Sequence, residues 1–172
     1  MRQTKPLQIY ILLMASLLSA SNIALTEEKQ RFSRLSQVDR QHMEQQRLII
    51  DDLARRYLGR QLNHSTDNNL SILQELLDEK LVKPKQTLRL QGMGIILGDR
   101  LAKDLNMHWI IIEDRYGRSK ALRLGTTENL LFPVTMISRR AEVGAPVSTR
   151  SIYQKAKDII QPHIPKGPFQ YN

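Results

Sequence analysis

The spacing of the apolar residues changes from helical to strand-like near the middle of this chain, and this change limits the fold more than any other feature. Up to Leu105 the apolar residues recur at helical spacing, whereas segment 108–113 (HWIIIE) has the β-branched and aromatic content of a strand. We therefore expect an α+β domain with N-terminal helices, a small antiparallel sheet of two to three strands, and two C-terminal helices packing on it.

Helices are predicted on both sides of this sheet. Before it, one helix follows residue 48 and ends at Gly59, and a second covers 69–81. After it, one helix begins at Pro133 and ends near Gly144. Ser148 is placed to cap a last helix, which Pro162 stops. Between these groups, 108–113 should turn at 114–117 and return along 121–124, with 130–132 as a third strand.

Segment 88–105 is ambiguous because Gly92, Gly94 and Gly98 interrupt its apolar residues. These glycines either form a phosphate-binding loop of the G-x-G-x-x-G type or let another element approach a buried helix closely. Leu97 occupies the position of the third glycine of such a loop, so we favour the helix.

The N-terminus has the pattern of an export signal. Arg2 and Lys5 precede an uncharged apolar run of fourteen residues, 7–20, that ends in small side chains. As a helix this run is about 21 Å long, shorter than the roughly 30 Å core of a bilayer. We predict a signal peptide over 1–24 and a periplasmic protein. The alternative is an uncleaved inner-membrane anchor, with membrane contact only through 7–25.

Three further segments follow the predicted signal. We expect a polar, glutamine-rich helical spacer at 25–47, a single α+β domain at 48–161, and a Pro-rich extended tail at 162–172.

The chain is basic, with a formal net charge of +9, and removal of residues 1–24 lowers this charge by two to +7. Such a charge attracts polyanions, which outside the cytoplasm means anionic envelope components or acidic protein surfaces rather than nucleic acid. The alternative is that the charge serves only solubility. The chain contains no cysteine, which excludes disulfides, thiol catalysis and thiolate metal sites.

Segment 109–140 carries a resemblance to a known family. It begins WIIIEDRYGRSKALRL and ends LFPVTMISRR, and its most specific part is FPVTMISRR at 132–140. The chain resembles, over most of 48–160, the bacterial family called domain of unknown function 3806. This resemblance implies a small α+β bacterial domain, and it transfers no activity or site.

Few residues have the spacing of a catalytic or metal site. The four histidines are scattered singly, no serine lies in a nucleophile elbow, and we expect no metal, no cofactor and no assigned catalytic residue. Glu113 and Asp114 lie beside Arg115 and Arg118, so one of these carboxylates is a candidate general base. The alternative for Asp114 is the first position of a turn that Gly117 completes, and we favour the turn.

The same hairpin supplies the candidate binding residues, because guanidinium groups and an aromatic ring alternate along it. They are Trp109, Asp114, Arg115, Tyr116, Arg118 and Arg123. The alternative is a charged hairpin edge that prevents edge-to-edge association. If 120–124 is a strand, Lys120 and Arg123 project from opposite faces.

Two functional hypotheses follow. The first is a noncatalytic exported domain that binds a protein or an anionic envelope component. The second is an envelope-acting hydrolase that uses Glu113 or Asp114 as its acid or base.

Overall fold

The computed structural model describes residues 30–165 and has an α+β fold. Its helices are α1 (Gln37–Leu53), α2 (Thr66–Asp78), α3 (Thr87–Asp104), α4 (Pro133–Glu142) and α5 (Thr149–Ile160). Its strands are β1 (Arg31–Arg34), β2 (Met107–Asp114), β3 (Gly117–Leu124) and β4 (Leu130–Leu131). The strands form one antiparallel sheet in the order β1-β2-β3-β4. The predicted signal peptide and the end of the predicted tail lie outside the described residues.

The predicted α+β class is confirmed, but the sheet has four strands instead of two to three. The additional strand is β1, which pairs antiparallel with residues 110–113. Helix was predicted here, within the spacer 25–47, and that prediction is wrong for residues 31–34. The reason is that these residues show no alternating apolar pattern, and their partner strand lies far along the chain.

Helix α1 begins in the predicted spacer and crosses the predicted domain boundary at residue 48 without a break. Its start is a capping box: the Ser36 hydroxyl accepts a hydrogen bond from the Asp39 main-chain N–H at 3.1 Å, and the Asp39 carboxylate accepts from the Ser36 N–H at 2.9 Å. The helix continues into a π-helical turn, Ala54–Leu58, which ends at Gly59 in the left-handed conformation.

The other predicted helices lie close to their expected positions. Helix α2 starts three residues before the predicted 69, with Ser65 as its N-cap. Pro133 is the first residue of α4, and the Ser148 side chain caps α5 by accepting from the main-chain N–H of Ser151. Pro162 lies in a short 3₁₀ turn, Gln161–His163, rather than in extended chain.

Helix α3 is largely buried, and its glycines allow other elements to approach it closely. A Cβ atom at Gly94 would lie 2.5 Å from the carbonyl oxygen of Pro133. A Cβ atom at Gly98 would lie 2.5 Å from the Trp109 ring and 2.8 Å from the Pro133 side chain. The close-approach interpretation is confirmed, and a phosphate-binding loop at this position is wrong.

The two faces of the sheet have different apolar surroundings. Residues Met107, Leu122, Leu124 and Leu131 join the main core that the helices form. A smaller cluster lies on the opposite face, where Ile110, Ile112 and Ala121 are buried against Phe32 and Leu130. Within the described residues, no helix is long and apolar enough to cross a membrane.

The contact between α3 and α4 predicts the effect of Gly94→Ala. The added methyl group would collide with main-chain atoms that cannot rotate away, so the free energy of unfolding should fall by about 1–3 kcal/mol. Urea denaturation followed by circular dichroism measures this change. Lys103→Ala on the exposed side of α3 is the control, and it should change stability by less than about 0.5 kcal/mol. Equal stability of the two variants would contradict the prediction.

Candidate binding groove

The tip of the β2–β3 hairpin is a turn built by its own side chains. The Asp114 carboxylate accepts a hydrogen bond from the Tyr116 main-chain N–H at 2.8 Å, which confirms the turn interpretation of Asp114. The Arg115 guanidinium donates to the Tyr116 hydroxyl at 2.5 Å and lies 4.7 Å from the centre of its ring. Tyr116 is 82% exposed, so this pair is open to solvent at the tip.

Arg118 is held in a cluster with a buried carboxylate. Its guanidinium donates to both oxygens of Asp39, at 2.8 and 2.5 Å, and Asp39 is only 5% exposed. The Lys120 ammonium lies 3.7 Å from the same carboxylate. The hydrogen bond from Arg118, followed by those from Ser36, holds the pKa of Asp39 well below its usual range, although burial opposes this shift.

Glu113 belongs to the same cluster. Its carboxylate lies 3.2 Å from the Arg31 guanidinium and 3.7 Å from the Arg118 guanidinium. The cluster therefore connects β1, the hairpin and the start of α1, and both of its carboxylates face cations.

Arg123 lies on the opposite face of the sheet from Lys120, as the alternation of the strand predicted. Its guanidinium donates to the carbonyl oxygens of Thr126 and Thr127, at 2.5 and 2.6 Å, and lies 4.2 Å from the Phe32 ring centre. Arg123 thus stabilises the β3–β4 turn and lies on the face of the sheet opposite the Asp39 cluster.

Trp109 joins the sheet to two helices. Its indole N–H donates to Asp99 of α3 at 3.0 Å, and Arg47 of α1 donates to both oxygens of that carboxylate at 2.7 and 2.9 Å. The Asp99 hydrogen bond raises the pKa of the Arg47 guanidinium, so this guanidinium stays charged. Trp109 therefore has a structural role in addition to the binding role predicted for it.

The six predicted binding residues do not form one surface. Asp114, Arg115 and Tyr116 lie at the hairpin tip. Arg118 and Arg123 lie on opposite faces of the sheet, and Trp109 contacts α3. Binding by these residues remains a prediction, and Arg118 is the one among them that lines a described groove.

That groove lies between β3 and α4 and has a volume of about 410 Å³. We call it the β3–α4 groove, and its lining residues are Arg118, Ser119, Lys120, Phe132, Val134, Thr135 and Arg139. Three of these seven side chains are cationic, and Phe132 is 43% exposed. Carboxylate and phosphate groups are the ligands that such guanidinium and ammonium groups bind.

The start of α4 adds to this positive character. Val134 and Thr135 of its first turn line the groove, and the amino end of a helix carries a partial positive charge. Arg139 lies one turn further along and forms no salt bridge within residues 30–165. Asp39 neutralises part of the charge of Arg118 and Lys120, which leaves Arg139 as the groove cation without an acidic partner in the part of the chain that the structure describes.

Phe132 and Arg139 are not among the six binding residues predicted from the sequence. The available signal was the motif at 132–140, which contains four of the seven lining residues. Their approach to Arg118 and Lys120 depends on how α4 packs across α3. The glycines of α3 predicted a close approach but not which element makes it.

Comparison with known proteins supports the fold and adds no activity. Residues 69–153 match the family model described as Domain of unknown function (DUF3806). No curated protein sequence matches the chain. A crystal structure from Bacteroides thetaiotaomicron VPI-5482 is similar, with a TM-score of 0.69 and 16% identity over 77% of this chain. The chain spans 49% of that protein's length. Because the identity is only 16%, the similarity concerns the fold alone.

The Asp39 cluster predicts an acid-sensitive stability. Asp39→Asn should lower the free energy of unfolding at pH 7 by about 1–3 kcal/mol, because it removes a charged acceptor from Arg118. The folded pKa of Asp39 is depressed, so its contribution is present above about pH 4, the pKa of an unfolded aspartate, and is lost as the pH falls below that value. Urea denaturation at a series of pH values should therefore show the difference between wild type and variant narrowing in acid.

Asp52→Asn is the matched control, because Asp52 forms an exposed pair with Arg56 on the same helix. Its effect should stay within about 0.5 kcal/mol at every pH. If the difference in the free energy of unfolding between Asp39→Asn and wild type is independent of pH, the charge of Asp39 does not contribute to stability.

Proposed function

Because the chain belongs to the Domain of unknown function (DUF3806) family through residues 69–153, and this description names no activity, we propose a function from the groove itself. The protein is a noncatalytic exported domain that binds an anionic group of a protein or of an envelope component. The anionic group enters the β3–α4 groove.

One observation carries this proposal: three cationic side chains and a half-exposed phenylalanine line a single concavity. Arg139 has no salt-bridge partner among residues 30–165, and its guanidinium group can form paired hydrogen bonds with a carboxylate or phosphate. Phe132 provides an apolar contact beside it, which favours a ligand that carries an apolar group next to its charge. The positive net charge of the chain supports the same class of ligand by raising its local concentration.

The hydrolase hypothesis has less support. Glu113 and Asp114 are adjacent in β2, so their side chains leave opposite faces of the sheet. The Glu113 carboxylate forms salt bridges with Arg31 and Arg118. The Asp114 carboxylate accepts a hydrogen bond from the Tyr116 main-chain N–H in the turn. Neither carboxylate lines the β3–α4 groove.

Export is proposed from the N-terminal sequence alone. The positively charged start and the apolar run at 7–20 support it. It limits the partners to those present outside the cytoplasm.

Two adjacent arginines of α4 allow a matched test of the groove. Arg139 lines it, whereas Arg140 does not, and the Arg140 guanidinium instead donates to the Met136 carbonyl oxygen at 2.5 Å. Arg139→Glu and Arg140→Glu change the net charge equally, so only a specific site distinguishes them. The probes are phenyl phosphate, a compact anion with an apolar ring beside its charge, and vesicles of phosphatidylglycerol, each titrated into the full chain at physiological salt.

Arg139→Glu should weaken binding of phenyl phosphate about tenfold, whereas Arg140→Glu should change it by less than about twofold. Changes in Trp109 fluorescence report the titration, since Trp109 is the single tryptophan and contacts the α3–α4 junction. Equal weakening by both variants would show that the net charge of the chain, and not a specific site, causes the binding. Charge reversal of Arg118 is unsuitable because it would leave Asp39 buried without its partner.

Binding in the cell envelope is tested separately by crosslinking and mass spectrometry. A partner captured by the wild type and by Arg140→Glu should be lost with Arg139→Glu. Capture that is the same in all three forms would place the partner elsewhere on the chain.

A further inference from the structure

A second groove lies where the loop after α2 meets the connection between α4 and α5. Its volume is about 670 Å³, and apolar side chains form most of its walls, among them Val82, Pro84 and Val147. We propose that this groove docks an acidic amphipathic segment of a partner protein. We call it the lysine-rimmed groove, after Lys80, Lys83 and Lys85.

The apolar walls supply the affinity for such a segment. Val82 is 2% exposed and Ala141 is also buried, so the groove reaches the main core between α2 and α4. Leu77 and Val147 pack partly buried against the same core. A concavity lined by apolar side chains gains free energy when apolar groups of a ligand replace water in it.

The lysines determine the charge of that ligand. Lys80, Lys83 and Lys85 are exposed, and Asp78 is the only carboxylate among the lining residues. None of the three lysines forms a salt bridge within the described part of the chain. A carboxylate-bearing partner would therefore meet free cations around the apolar walls, and a basic partner would be repelled.

Hydrogen bonds connect the segments that form the walls of the groove. Gln86 accepts a hydrogen bond from the main-chain N–H of Lys83 at 2.8 Å, and the Ala145 N–H donates to the Arg140 carbonyl oxygen at 2.9 Å. Thr87 donates to Glu142 at 2.7 Å and so joins the start of α3 to the end of α4. Because the groove is concave, the side chains of a peptide can enter it more deeply than a flat bilayer can.

This groove is independent of the β3–α4 groove. Helix α4 contributes its first turns to the β3–α4 groove and Ala141, near its last residue, to the lysine-rimmed groove. The two grooves have no lining residue in common. Arg139→Glu should therefore leave binding at the lysine-rimmed groove unchanged.

The test begins with a random peptide library displayed on phage and selected against the full chain. Selected peptides should combine leucine or phenylalanine with aspartate or glutamate. Two variants locate their site: Ala145→Trp, which fills the groove from an exposed position, and the double variant Lys83→Glu/Lys85→Glu. The charge-matched control is Lys103→Glu/Lys155→Glu, two exposed lysines that do not line the groove.

Each lysine-rimmed groove variant should weaken the selected peptides at least about tenfold by fluorescence anisotropy, and the control should change their affinity less than about twofold. Circular dichroism confirms that the variants are folded. Selection of basic or uncharged peptides, or binding that survives both variants, overturns the proposal. So does a chain that selects no peptide but binds phosphatidylglycerol vesicles through Lys83 and Lys85, since that result assigns the lysines to a membrane surface.

Discussion

The contact between α3 and the start of α4 determines the arrangement of the other elements. Gly94 and Gly98 leave no side chain on one face of α3, so the Pro133 backbone and the Trp109 ring lie directly against it. This contact fixes the first turn of α4 beside β3. Phe132 and Arg139 consequently reach the same concavity as Lys120, and the β3–α4 groove exists only because two glycines allow the approach.

Two carboxylates, one buried and one partly buried, extend this arrangement to the N-terminal part of the chain. Asp39 binds Arg118 of the hairpin, and Asp99 joins Arg47 of α1 to Trp109 of β2. Residues 31–53, which form β1 and α1, precede the part of the chain that matches the family model, 69–153. They nevertheless complete the sheet and neutralise a cation that would otherwise add to the groove. The N-terminal segment therefore affects the charge of the groove as well as the stability of the sheet.

The elements that the sequence predicted well are those specified by local chemistry. Helix α3 has apolar residues at helical spacing, Asp114 and Gly117 suit their turn, and Ser148 is a favourable cap. Strand β1 lacks any such local signal. Residues 31–34 become a strand because β2 offers an unpaired edge, and an unpaired edge is a property of the assembled sheet.

The sequence by itself determined which chemical groups the protein carries. These are an excess of cations, no thiol, a hairpin with several arginines, and the motif at 132–140. Only the tertiary structure decided which of these groups are free to bind. Arg118 and Arg123 lie within one hairpin, yet the first is paired with Asp39 and the second with carbonyl oxygens of a turn. Arg139 is distant from them in sequence and free of such partners in the described residues. The physical reason is that charge pairing depends on distances between elements, and packing sets those distances.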